Sequence, residues 1–139
     1  NPSLPHKARN PLPDFLRMLD EAVGTLRAHT ITPLLMTMPP LVLDRWYNTI
    51  TAGQNKKNID AFLEGDVFKL YRAHELYSLS IAHYATAHNV QCVDMRMAML
   101  EAKDYRSLMC EDGIHPNASG YAYMADVWIR ALPRLHKEF

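Results

Sequence analysis

Disulfides, charge imbalance and long apolar runs are all missing from this chain, and each absence removes a class of protein. Only Cys92 and Cys110 occur in 139 residues, too few for the disulfide framework of a small secreted domain, and Cys92 falls in an apolar run that reads as a buried strand. A reducing, cytoplasmic setting is therefore favoured over an oxidising one. Fifteen Lys and Arg balance fifteen Asp and Glu, for a formal charge of zero, so the chain carries no electrostatic footprint for nucleic acid or an anionic membrane. No apolar run approaches the roughly 20 residues that span a bilayer. Metal-ligand patterns are missing too. His74, His83 and His88 lack the i, i+4 spacing of a helical histidine pair, and no Cys or carboxylate completes a zinc signature. These histidines read as structural or solvent-facing, and no metal or cofactor is expected.

What remains is ordinary globular material. The apolar fraction is 48% and the charged fraction 22%, values typical of a domain with a core, and the length fits one domain. Pro2, Pro5, Pro11 and Pro13 predict an extended lead-in over residues 1 to 13. Phe15, Met18, Leu19, Ala22, Val23 and Leu26 recur at helical spacing and predict an amphipathic helix over 14 to 29. Residues 33 to 38 are a short apolar run bounded by prolines, the pattern of a strand buried on both faces. Residues 41 to 65 have no clean period and hold Thr, Gly, Asn and Lys, which predicts a long loop or lid. Within it, Trp46 and Tyr47 have two readings: aromatic anchors that hold the connection to the domain surface, or a wall of a substrate pocket.

A broad apolar face from Val67 to Ala85 predicts a long helix over 66 to 88. A strand over 90 to 94, a short helix over 96 to 102, a loop over 103 to 115 and a last helix over 117 to 132, stopped by Pro133, complete the reading. Helices alternating with two strands is the signature of a parallel α/β sheet.

The chemistry concentrates in Asp112-Gly113-Ile114-His115, where a carboxylate precedes an imidazole by three residues. A neutral histidine can take a proton from a hydroxyl only through a ring nitrogen that is itself unprotonated, and a carboxylate on the other nitrogen enforces that tautomer. Gly113 permits a tight bend and Pro116 favours an extended His115, so both side chains can serve one cleft. The pair then needs a nucleophile. Ser119 lies too close to His115 on the start of the following helix, and Ser3, Ser78, Ser80 and Ser107 have no motif around them.

The longer string Asp112-Gly113-Ile114-His115-Pro116-Asn117-Ala118-Ser119-Gly120-Tyr121 resembles the last block of the SGNH hydrolases, also called GDSL esterases and lipases. Thr32-Pro33-Leu34-Leu35-Met36-Thr37-Met38-Pro39-Pro40 resembles the family's fourth-strand segment, and Val90-Gln91-Cys92-Val93-Asp94-Met95 its fifth. The resemblance implies a three-layer α/β/α, flavodoxin-like domain with its site beyond the carboxyl ends of parallel strands. It makes His115 the general base and acid, Asp112 its orienting carboxylate, and a small ester the substrate.

The family's Gly-Asp-Ser nucleophile segment and its Gly-x-Asn-Asp oxyanion segment have no counterpart among these residues. The expectation is thus that residues 1–139 are the carboxy-terminal portion of one SGNH-like domain whose amino-terminal strands are missing. The strand at 33 to 38 would then lack a neighbour and associate through a companion segment or a second copy of the chain. A non-catalytic binding or interaction domain of the same fold is the alternative function.

Overall fold

The computed structural model describes residues 10–135; the proline-rich lead-in over residues 1–9 lies outside them. Helix α1 (Leu12–Ala28) starts two residues earlier than its apolar period implies, with Pro13 inside its first turn. Proline is tolerated there because the first amides of a helix have no intrahelical acceptor to lose. The extended reading is corrected at residues 12 and 13, while Pro11, at φ -55° and ψ 150°, is extended. α1 ends at a His29 cap, and Thr30, at φ 59°, turns the chain toward strand β1 (Leu34–Met36).

The stretch read as a loop or lid is instead two helices, α2 (Leu43–Ala52) and α3 (Lys56–Leu63). The polar residues that obscured them have specific places. Asn55 caps α3 by accepting hydrogen bonds from the amides of Lys57 and Asn58, and only Ile59 and Leu63, one turn apart, bury fully. The Thr51 hydroxyl bonds back to the Tyr47 carbonyl at 2.8 Å on α2. At ten and eight residues, neither helix is long enough for its period to stand out.

Helix α4 (Phe68–Ala87) carries the chain back, and Asn89, left-handed at φ 51°, reverses it into strand β2 (Gln91–Val93). The strands pair in parallel, Leu34 with Gln91, Leu35 with Cys92 and Met36 with Val93. Alternate residues face opposite ways along a strand. Leu35 and Cys92 therefore join Val23, Tyr84, Ala85 and Val90 under α1 and α4. Met36 and Val93 turn to the other face and pack with Val42, Met95, Met99, Met109 and Val127. Helices thus cover both faces of the sheet, in three layers. Every residue of β1 is only half-buried, because β2 is its one strand neighbour among the described residues.

Helix α5 (Met95–Leu100) follows β2 directly, then a 3₁₀ turn (Tyr105–Leu108), then helix α6 (Ala118–Leu135). Pro133 does not stop α6 but lies within its final turn. Ile129, whose carbonyl loses its partner there, sits on an exposed stretch where water can replace the bond. At the carboxyl ends of the strands a polar latch joins the two connections. The Thr37 hydroxyl donates to Asp94 at 2.9 Å and accepts from the Arg96 amide at 2.9 Å. The Arg96 side chain, 9% exposed, pairs with Glu75 of α4.

Candidate active site

Asp112 and His115 meet in a turn that is built largely from the aspartate itself. One carboxylate oxygen, Oδ1, accepts the backbone amides of Ile114 at 3.0 Å and His115 at 3.1 Å. The other, Oδ2, lies 2.6 Å from Nδ1 of the His115 ring. Gly113 makes the turn possible with φ at 77°, a conformation that side chains with a Cβ resist. Just outside the turn, the Cys110 amide donates to the His115 carbonyl at 2.8 Å and the Gly113 amide donates to the Cys110 carbonyl at 3.0 Å. Met109 and Pro116 close the base of the loop as an antiparallel bridge.

The electrostatics give the two ring nitrogens different roles. The imidazole beside Asp112, together with the two amides on Oδ1, holds its carboxyl down at about 2. An ionised carboxylate can only accept, so the proton between Oδ2 and Nδ1 belongs to the ring. In neutral His115 this leaves the lone pair on Nε2, which no other described residue engages. The His115 side chain is 69% exposed and that of Asp112 is 30% exposed. The supporting acid is thus sheltered and the base is open to a reactant.

The loop is fastened on two sides. Asn117, the residue before α6, uses its whole side chain: Nδ2 donates to the carbonyls of Ser107 at 2.8 Å and Met109 at 3.3 Å, while Oδ1 accepts the Gly120 amide at 3.0 Å. Asn117 rather than Ser119 therefore supplies the helix-terminal hydrogen bond, and Ser119 is exposed. On the other side, the first turn of α2 presses against Gly113. The Val42 amide donates to the Gly113 carbonyl at 2.8 Å. Val42 ends the segment leaving the carboxyl end of β1, so the pair sits on the side of the sheet where open α/β proteins bind ligands.

Trp46 and Tyr47 fall on α2 and diverge. The Trp46 amide nitrogen would lie 2.6 Å from a Cβ placed on Gly113, so its backbone adjoins the turn, and its side chain is half-buried. The Tyr47 hydroxyl donates to Asp60 at 2.8 Å and accepts from Lys56 Nζ at 2.7 Å, tying α2 to α3. Sequence reasoning passed over Arg45 and Asn117 as loop anchors. For Asn117 a signal existed, since an amide three residues before a glycine amide at a helix start is a capping pattern; for Arg45 none did, because α2 itself was read as a loop. Of the histidines on α4, His83 and His88 are exposed. His74 is half-buried, with Nδ1 enclosed and no hydrogen-bond partner. Among the described residues no three His, Cys, Asp or Glu side chains converge in a way that could hold a metal ion, and no helix is long and apolar enough to cross a membrane.

A short parallel sheet with helices on both faces and a carboxylate-backed imidazole beside it define an α/β protein of the SGNH type. The profile of the GDSL-like lipase/acylhydrolase family matches residues 1–128, and the chain belongs to that family. Membership supports a general acylhydrolase or esterase activity. No curated protein matches the chain.

Proposed function

We propose that this chain supplies the proton relay of a serine-type carboxylic ester hydrolase. The observation that carries the reading is the 2.6 Å contact between Asp112 Oδ2 and His115 Nδ1, which leaves an exposed Nε2. In this mechanism a serine hydroxyl attacks the ester carbonyl and His115 Nε2 accepts its proton. The tetrahedral intermediate then collapses, and the imidazolium returns that proton to the departing alcohol. Water enters by the same relay to release the acid. Asp112 stabilises the imidazolium and keeps its charge throughout.

The serine is assigned to a segment beyond the 139 residues, since they hold no Gly-Asp-Ser string. In this reading the chain is the carboxy-terminal portion of one domain, and the open side of β1 is where that segment, or a second copy of the chain, adds. The proposed substrate is a small acyl or acetyl ester of an alcohol. Trp46, whose backbone adjoins the Gly113 turn, is proposed as part of the wall that receives it.

The test is turnover of a nitrophenyl ester by the protein complete with its serine-bearing segment. His115→Ala is expected to lower kcat about 10⁴-fold or more while leaving the fold intact, because members of such a relay act as a unit. Undiminished turnover would remove His115 from the mechanism. The missing Gly-Asp-Ser string also favours a second reading, a non-catalytic binding domain of the same fold, for which neither the wild type nor the variant would turn over any ester.

A further inference from the structure

The helix that stands where a lid was expected grips the loop bearing Asp112 and His115 through one side chain. Arg45 Nη1 lies 3.1 Å from the Arg106 carbonyl, 3.1 Å from the Met109 carbonyl and 3.3 Å from the Cys110 carbonyl. A guanidinium is permanently charged, and the two hydrogens of this one nitrogen, shared among three carbonyls, hold together groups that would otherwise repel one another. The third of these carbonyls is the sensitive one. It also accepts the Gly113 amide, and the amide of the same residue, Cys110, donates to the His115 carbonyl. Arg45 therefore holds the residue, Cys110, that bonds to both Gly113 and His115 of the turn.

Packing restricts the loop in the same place. A Cβ on Gly113 would lie 2.7 Å from the Arg45 Cβ and 2.5 Å from the Val42 carbonyl oxygen, so the turn rests directly on the first turn of α2. A second tie crosses the same junction, from Arg106 to Asp44 at 2.8 Å, but both side chains are about half exposed, and an exposed pair of this kind holds little.

We propose that Arg45 is a positioning residue for the Asp112 and His115 pair, fixing the loop from α2 so that the imidazole keeps its hydrogen bond to the carboxylate. The inference rests on the proton-relay reading of that pair. Its action goes through the loop backbone, since Arg45 makes no contact with either reacting side chain. A loosened loop would let the ring leave the plane of Oδ2, and a displacement on the order of 1 Å at a catalytic group can cost as much as 10²-fold in rate.

Two readouts test this. The first is the proton resonance of the His115 Nδ1–H in the nuclear magnetic resonance spectrum of the chain, which reports the bond to Asp112 directly. The second is nitrophenyl-ester turnover by the protein with its serine-bearing segment in place. Arg45→Gln is expected to broaden or abolish the resonance and to lower kcat about tenfold with KM unchanged. Arg45→Lys, which keeps a charged nitrogen donor on a different side chain, is expected to restore part of both. Asp44→Asn, which breaks only the exposed tie, is expected to match the wild type. Wild-type resonance and kcat in Arg45→Gln would overturn the inference. If Arg45→Gln does not fold, Arg45→Lys decides in its place: a weakened resonance with lowered kcat supports the assignment, and wild-type values of both sink it. His115→Ala separates the two levels. Should it be inactive while the Arg45 variants behave as wild type, only the role of Arg45 fails; should it retain full turnover, the relay and this inference fall together.

Discussion

The carbonyl of Gly113 accepts a 2.8 Å hydrogen bond from the Val42 amide, an approach so close that the glycine has no room for a side chain. A Cβ there would meet the Val42 carbonyl oxygen at 2.5 Å and the Trp46 amide nitrogen at 2.6 Å, both of them backbone atoms that cannot swing aside. The same residue stands at φ 77°. Conformation and packing thus make separate demands for glycine, and a second glycine tells them apart. Gly65 has a similar φ of 75° but nothing within 4 Å of its hypothetical Cβ. Gly65→Ala is expected to cost about 1 kcal/mol, the left-handed penalty alone. Gly113→Ala is expected to cost about 3 kcal/mol or more, because α2 or the loop must also move. Urea unfolding midpoints of the two variants check this. Equal losses would mean that α2 yields freely to the loop.

Asp112 makes a prediction in both stability and rate. Its carboxyl is held at about 2, against an ordinary value of 3.8, so the native state favours the ionised form. A depressed carboxylate contributes stability that is fully present above pH 4 and is lost as the pH falls through about 2. Because the pair is solvent-screened, that contribution is on the order of 1 kcal/mol. Asp112→Asn is expected to be the less stable protein at neutral pH, with the gap closing between pH 4 and 2 in an acid titration followed by circular dichroism. The amide can also donate to Nδ1 and so favour the unproductive tautomer, and kcat is expected to drop about 10³-fold to 10⁴-fold. A stability gap independent of pH would show that the carboxylate charge is not engaged by the ring and the two amides.

The readable parts of this sequence were those in which one physical signal dominates. Both strands were legible as proline-bounded or asparagine-led apolar runs, and α1, α4 and α6 as long stretches of recurring apolar residues. The contact between Asp112 and His115 and the bend at Gly113 were legible from those residue types at that spacing. α2 and α3 were not. Their apolar period is as marked as that of α1, but at ten and eight residues each is too short for it to stand out among the Thr, Gly, Asn and Lys around it. Pro133 misled for the opposite reason. The general rule against proline in a helix weakens in a last turn, where few carbonyls remain to be satisfied.

His74 sets a second pH dependence, of the fold alone. Burial first, and then the nearby Arg96 cation, lower its pKa from 6.5 to about 4. The unfolded chain therefore binds a proton below pH 6.5 that the native state refuses until about pH 4. Stability is fully present above 6.5 and declines as the pH falls across that window. The enclosed Nδ1 has no hydrogen-bond partner, so an apolar residue of similar size removes an unsatisfied group as well as a titration. His74→Phe is expected to be as stable as the wild type at pH 7.5 or more so, by about 1 kcal/mol. At pH 5 its advantage is expected to be larger. Urea midpoints at the two values measure it, and an advantage that shrinks toward pH 5 would assign the acid sensitivity to other groups.

Trp46 and Tyr47 are adjacent in sequence but, at about 100° per residue around a helix, cannot serve the same surface equally. The Trp46 backbone adjoins the Gly113 turn. The Tyr47 hydroxyl is engaged by Asp60 at 2.8 Å and Lys56 at 2.7 Å, with Lys56 Nζ also 5.3 Å from the centre of its ring. Under the proposed function, Trp46→Ala is expected to raise KM for a nitrophenyl ester on the order of 10-fold, as a lost apolar contact allows, with kcat changed much less. Tyr47→Phe keeps the ring and removes the hydroxyl, so it is expected to lower stability by about 1 kcal/mol and to leave KM unchanged. The informative comparison is KM in the two variants side by side. A rise in Tyr47→Phe that matches the rise in Trp46→Ala would mean that the hydroxyl leaves Asp60 and Lys56 to meet the substrate, and the division of labour on α2 drawn from these hydrogen bonds would be wrong.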